Sequence, residues 1–544
     1  MRYKKIKLYI NLFVIIIMGC IFSSLCNNLM MVYASDLENA EKREVKVLVI
    51  SIDPEITNPM TNKKQKASEY LGFSLQKSVN SLESYIEQGA NGVVDIKIVE
   101  TIYLKEFPTY DGFDSMTEEQ FFKLFPIGTN GKGEWYDWWT RNSEQNVIPS
   151  ELDSAMHFDY SYLVEKCNLV KKRNAGKFDM VWVYGIDPLS MYETAMVGDS
   201  AFWVNGKAVE ADCENFVIAG LTFSRADGAL ESFCHLCESM LNYTYGVSDR
   251  EYNKPIKFDD FSELSTWQKF YLCQDKSTSD NTVYGVGQVH FAPNSIRDYD
   301  WESNIPVSSY HQVFLDNYPN ITNDVTTIFT ANEYLSKYDS DAAGVCHHIW
   351  WLQHMPHYEG RDENGYSHNW WDYIFDTKYV KQLKLEDNSE TNTIIVPLGE
   401  SVLNIPFKIQ YNTGNEVSTT LLQSGAVLKC EENAIFSLSG NKINGLSVGK
   451  EKITIMYDGH NLECFIEVQE RVNSNIIANT EKNKPIIIVK PKDPENTQSE
   501  ENKGIIIVKP KDMENTNSEE NKEKDKKGDR IILIPKRSKN IITE

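Results

Sequence analysis

Between Phe216 and Gly246 the chain reads FVIAGLTFSRADGALESFCHLCESMLNYTYG, an apolar run of strand character that passes into helical spacing. Within it Glu231, His235, Glu238 and Asn242 recur at i, i+4, i+7 and i+11, so on a helix they share one stripe. Leu230, Phe233, Cys234, Cys237 and Leu241 make most of the remaining helix surface apolar. Two carboxylates and an imidazole on a helix that packs into a core need partners there. A metal ion, a catalytic proton relay or a structural salt bridge would each supply them. The i, i+3 spacing of His235 and Glu238 lets both side chains reach one ion from a single helix. Glu231 lies one turn earlier on the same face.

These spacings give a candidate catalytic group of Glu231, His235 and Glu238. The metal set they suggest is His235 and Glu238 joined by His290, around a divalent cation with zinc as the first choice. His290 comes from GVGQVHFAPNSIRDYD (residues 285–300), where Pro293 rules out a continuous helix. Asp298, His347, His354 and His357 are further residues that can supply a ligand. The chain lacks H-E-x-x-H and its inversion, a G-x-S-x-G elbow, and a glycine-rich phosphate loop after the first strand. Without an ion, the same stripe would be a charged groove whose imidazole is satisfied by Glu231 or Glu238.

The elements that must position this stripe begin with Glu44 to Asp53, EVKVLVISID, a buried opening strand. The spacing of Leu71, Leu75, Val79, Leu82 and Ile86 predicts a helix over about 63–88, and 93–104 returns as a strand. A second helix is expected over 160–172 and another buried strand over 178–184. Tyr192-Glu193 and Asp199 to Trp203 follow in a loop over the sheet. Ser224, with Asp227 three residues on, is a capping pair for the helix that carries His235. A further helix through 341–354 holds the adjacent His347 and His348 and can be capped by Ser340. The fold class is therefore α/β or α+β, a large N-terminal domain with a central sheet.

Every tryptophan lies between Trp135 and Trp371, which confines the chemistry to this domain. The pairs Trp138-Trp139, Trp350-Trp351 and Trp370-Trp371 suit either a packed core or exposed platforms for sugar stacking. Cys234-His-Leu-Cys237 has C-x-x-C spacing, yet its thiols fall on the apolar side of the helix, where buried free cysteines are expected. Cys430 and Cys464 share one β-rich segment and are a candidate disulfide.

With a formal net charge of -23, the chain is a poor partner for nucleic acid, which needs a basic footprint. Residues 1–34 read as a signal peptide: Arg2, Lys4, Lys5 and Lys7 form a basic start, Leu8 to Phe22 an apolar core, and Val32-Tyr33-Ala34 a cleavage site. The expected location is secreted, extracellular or cell-wall associated, with no membrane contact after cleavage. The expected partner is an extracellular protein or glycan, and the cell wall is a further candidate. Residues 35–388 are then the large domain, 389–470 an all-β module and 471–544 a charged tail. In that tail IIIVKPKDPENTQSEENK (486–503) returns as IIIVKPKDMENTNSEENK (505–522), a repeat of 19 residues expected to be disordered.

From Ala434 to Val468, AIFSLSGNKINGLSVGKEKITIMYDGHNLECFIEV resembles the bacterial group 2 immunoglobulin-like domain. The resemblance rests on Gly440, Ile443, Gly445-Leu446, Gly449 and the strand Lys452 to Tyr457. It implies a β-sandwich spacer or adhesive unit of secreted and surface proteins. VWVYGIDP, ETAMVGDSAFWVNG, ESFCHLCES and GQVHFAPNSIRDYDW are similar to functionally uncharacterised secreted bacterial proteins. The order of strand, helix, late strand and His/Glu helix is loosely like that of secreted metallopeptidases, an analogy of fold alone. Two functions follow: a metal-dependent hydrolase of an extracellular peptide or glycan, or a non-enzymatic surface adhesin that binds glycan or protein through Trp-rich loops, with the immunoglobulin-like module as spacer.

Overall fold

The computed structural model describes residues 37–470 apart from 108–114, 135–136, 148–157, 186–192, 223–225, 259, 276–282, 336, 339, 341, 387–391, 404, 413–414, 431–434 and 440–441. The signal peptide, the repeats of the tail and Ser224 of the expected helix cap lie outside the described residues. No helix among the described residues is long and apolar enough to cross a membrane.

The frame is a six-stranded sheet built from β1 (Arg43–Ile52), β2 (Val94–Leu104), β3 (Met180–Gly185), β4 (Thr194–Gly198), β5 (Val209–Glu210) and β6 (Phe216–Thr222). Its order is β2-β1-β3-β6-β4-β5. The first four strands in that order run parallel, and β4 then pairs antiparallel to β6. β3, MVWVYG, is buried at every position, as a strand covered on both faces must be. At the edge, β2 leaves Val99 and Tyr103 exposed.

Three helices pack against one another beside this sheet: α1 (Leu75–Gly89), α2 (Ala226–Thr244) and α3 (Ala343–Gln353). The helix expected over 63–88 is broken. A short turn, Ala67–Leu71, ends at Gly72 with φ +85°, and Ser74 restarts the helix by accepting the amide of Lys77. Apolar spacing alone runs through this break, because Leu71 and Leu75 are buried or half-buried on either side of it. Likewise the helix expected over 160–172 splits into Tyr160–Lys166 and Leu169–Asn174 at Asn168, which has φ +52°. At Gly89 a Cβ would stand 2.7 Å from Cβ of Leu352, so glycine sets how closely α1 approaches α3.

A second hydrophobic core holds Val396, Phe407, Phe436, Ile455 and Ile466 among three small sheets. It begins earlier than the boundary at 388: Val380–Leu385 pairs with Pro406–Tyr411 and buries Val380, Leu383 and Leu385 there. Cys430 and Cys464 are both in register with Ile453, from opposite sides of the strand Gly449–Tyr457. Two strand spacings of about 5 Å separate them, beyond the reach of a disulfide, and no disulfide joins them. The two cores meet at Asp458, whose carboxylate accepts from Arg361 and, at 2.8 Å, from the Tyr373 hydroxyl. The Asp458 amide donates to the carbonyl of Gly365.

Two buried imidazoles tie this fold to pH. Burial pulls His347 down to about 4 and His311 down to about 3. An unfolded imidazole titrates near about 6.5, so below that pH the unfolded chain binds protons that the folded chain refuses. The stability that these two groups contribute is therefore complete above about 6.5 and falls as the pH drops toward 4, by up to about 1.4 kcal/mol per pH unit for each group. Urea denaturation at pH 7, 6 and 5 should show the midpoint dropping at each step. A His311→Gln variant should show a shallower drop.

Candidate metal centre

The stripe on α2 does not face solvent uniformly. Glu238 is buried and accepts three donors. Its Oε2 takes the Nδ1–H of His235 at 2.9 Å, while Oε1 takes the amide of Val289 at 2.8 Å and the hydroxyl of Tyr252. A carboxylate at Nδ1 fixes the tautomer and leaves Nε2 of His235 for the other side. That Nε2 lies 3.0 Å from Nε2 of His290. Oε1 of Glu231 is 3.1 Å from the same His290 nitrogen and 4.0 Å from His235 Nε2.

The three donor atoms of Glu231, His235 and His290 all lie within 4.8 Å of one another. A tetrahedral zinc with bonds of about 2.0–2.1 Å sets its ligand atoms about 3.3 Å apart, so only the Glu231–His235 edge has to shorten appreciably. Glu231, His235 and His290 form a group that could hold a metal ion. Glu238 takes a different place from the one its spacing suggests, behind His235, in the position of a carboxylate that orients a ligand. Side-chain exposures of 12% for Glu231, 14% for His235 and 25% for His290 leave the group open on one side.

The loop that delivers His290 is suspended by its backbone. His347 and His348 of α3 donate from Nε2 to the carbonyls of Gln288 and Val289, at 3.0 and 3.2 Å. Nε1 of Trp351 donates to the carbonyl of Gly287 at 2.9 Å, and Nε1 of Trp301 to that of Val289 at 3.1 Å. Gly287 has φ +97°, and a Cβ there would stand 2.2 Å from the Phe291 carbonyl oxygen. The adjacent histidines of α3 thus act on the loop and supply no ligand. His354 and His357 are also engaged elsewhere, at the carbonyls of Trp350 and Met355. Asp298 reaches Nδ1 of His290 at 3.6 Å and is largely exposed.

Glu193, which the sequence places only in a loop, is a further acid whose charge reaches this group. Its carbonyl accepts the amide of Gly220 beside the end of β6, and its side chain accepts from Asn205. Burial raises its carboxyl, which also feels the charges of His235, Glu231, His290 and Glu238. Burial alone would lower His235. The hydrogen bond that His235 donates to Glu238 and the charges of Glu193, Glu238 and Glu231 outweigh it and lift the imidazole to about 9. As arranged, the group can bind a cation, or hold a proton between His235, His290 and Glu231.

The other chemical candidates are structural. Trp138, Trp350, Trp351, Trp370 and Trp371 are at most 1% exposed, so none of them is a sugar-stacking platform. Cys234 and Cys237 are fully buried, and burial pushes both thiols well up, which suits inert core groups. A surface hollow lined by Lys42, Tyr85, Glu87, Tyr338 and Ile349 contains none of the candidate site residues.

No family model and no curated protein matches the chain. Among solved structures, one described as "Solution structure of a putative surface protein" is 15% identical and covers 20% of this chain and 100% of that chain. Its TM-score is 0.12, a likeness that supports no statement about fold or role.

The carboxylate behind His235 gives a direct check. In metal-free protein with selectively labelled histidines, the His235 imidazole should titrate near 9 by NMR. In Glu238→Gln the midpoint should fall by at least about one unit, since a charge-assisted partner becomes neutral.

Proposed function

We propose that this chain is a secreted or cell-surface bacterial protein whose large domain is a metal-dependent hydrolase of an extracellular peptide or glycan. The observation that carries the reading is the convergence of His235 Nε2, His290 Nε2 and Glu231 Oε1 on one partly open point. Two imidazoles and one carboxylate are a zinc ligand set of the catalytic kind, in which three protein ligands leave a further position for water or substrate. A divalent ion there would polarise a substrate carbonyl and lower the pKa of water. Glu238 orients His235. Glu193, outside the ligand set, is the carboxylate that would take a proton, a task for which a raised pKa is suited.

The extracellular assignment rests on the signal-peptide pattern of residues 1–34, the acidic balance of the chain and the immunoglobulin-like wording of 434–468. That module and the repetitive tail would then space the hydrolase from a wall or surface. For the alternative reading, a surface adhesin or glycan-binding protein, Trp138, Trp350, Trp351, Trp370 and Trp371 are buried, Trp203 is 42% exposed, and Trp135 and the Trp139 side chain lie outside the described residues.

Mature protein dialysed against zinc should retain about one ion per chain by elemental analysis, as a three-ligand site requires. His235→Ala should lose it. Glu238→Gln should keep it with affinity weaker by about 10–100-fold, the usual effect of removing an orienting partner. Hydrolysis of labelled casein or peptidoglycan should stop on chelation and return with zinc. A wild-type protein that takes up no divalent ion would end the metal reading.

A further inference from the structure

Tyr299 stands out in the backbone before it does in the site. Its φ is +62°, in the left-handed region, and every other non-glycine residue with positive φ among the described residues is Asn or Asp. Those two tolerate the region because a short polar side chain bonds locally, whereas a bulky aromatic gains nothing from it. Conformations of this kind persist where surrounding contacts over-determine them, and they concentrate at functional sites.

The contacts that hold Tyr299 all lead to the candidate centre. Its amide donates to the carbonyl of His290 at 3.1 Å. Its ring lies 4.3 Å from the His290 ring, centroid to centroid, and 5.1 Å from the ring of Trp301 in an edge-on contact. Burial, and after it the charge of the Glu231 carboxylate, hold its phenol above the usual range. Even so the residue is 53% exposed. It thus lies against the His290 ring while about half of the residue remains at the protein surface.

We infer that Tyr299 is a substrate-contacting residue of this centre, donating its phenolic O–H to the oxygen of a carbonyl or hydroxamate-like group that enters the open side. This rests on the metal reading given above. With Glu231 engaged as a ligand, its lone pairs would be taken up by the cation, leaving the phenol of Tyr299, packed against His290, to donate to an oxygen that enters beside it. A donor placed at an oxygen that gains negative charge stabilises it more than it stabilises the free group.

The test uses the full mature chain loaded with zinc, and acetohydroxamate as the oxygen-donor probe. Wild type and Tyr299→Phe are compared for zinc affinity by chelator competition and for acetohydroxamate affinity by calorimetry. Zinc affinity should agree within about threefold, because the phenol is not a ligand, while the affinity for acetohydroxamate should fall in the variant by at least about tenfold, as loss of a charge-assisted hydrogen bond does. Equal acetohydroxamate affinities in two zinc-loaded proteins would overturn the role of Tyr299 and leave the metal site standing. Zinc-loaded wild type that ignores acetohydroxamate would overturn it as well, since the side that Tyr299 covers would then be closed. A wild type without zinc affinity would overturn both readings.

Discussion

Much of this site depends on one buried carboxylate. Glu238 accepts from a side chain on its own helix, from the amide of Val289 and from Tyr252. Each of those donors lies on a different segment, so a single charged group fixes the rotamer of His235 and the height of the His290 loop together. A buried charge of this kind is costly unless fully paired, and here each oxygen has a partner. Removing it would strand an amide and a hydroxyl in the core and free the imidazole to rotate. The two functional consequences, the tautomer of His235 and the approach of His290, are thus one energetic event.

Around that carboxylate the rest of the site is arranged by main-chain contacts. The sheet places β6 centrally, α2 returns across it, and α3 packs against α2 with two imidazoles directed at loop carbonyls. Buried histidines used in this way must stay neutral, which is why burial can pull His347 down without cost to its role. His235, by contrast, sits among carboxylates and is lifted. Two histidines of one small region are driven in opposite directions, one to hold a backbone and one to carry charge.

How much of this was legible in the sequence varies by element. β1, β2 and β3 lie within a residue or two of where the sequence places them; β1 and β3, largely buried, are written as near-continuous apolar runs, whereas the edge strand β2 mixes apolar and polar residues. The stripe of Glu231, His235 and Glu238 follows from helical spacing. Which carboxylate faces the open point and which lies behind the imidazole does not, since Val289 and Tyr252 decide it from far along the chain. Glu193 and Tyr299 left no periodic signal: one precedes a short antiparallel strand, the other owes its position to a left-handed φ. The helix breaks at Gly72 and Asn168 were hidden by apolar spacing that continues across them. The tryptophan pairs show the reverse limit, as composition names a large ring without saying whether a core has claimed it.

The suspended loop has a consequence for how such a site can be inherited. The bonds from α3 end on carbonyls, which every residue type possesses, and Glu238 meets an amide that any residue but proline provides. These contacts therefore constrain Gly287 and His290 far more than the side chains between them. Distant chains built on this plan would share a spaced pattern: E-x3-H-x2-E on one helix, G-x2-H in a loop and H-H-x2-W on a second helix. Continuous similarity between them could fade while those few positions, read together, still marked the same architecture.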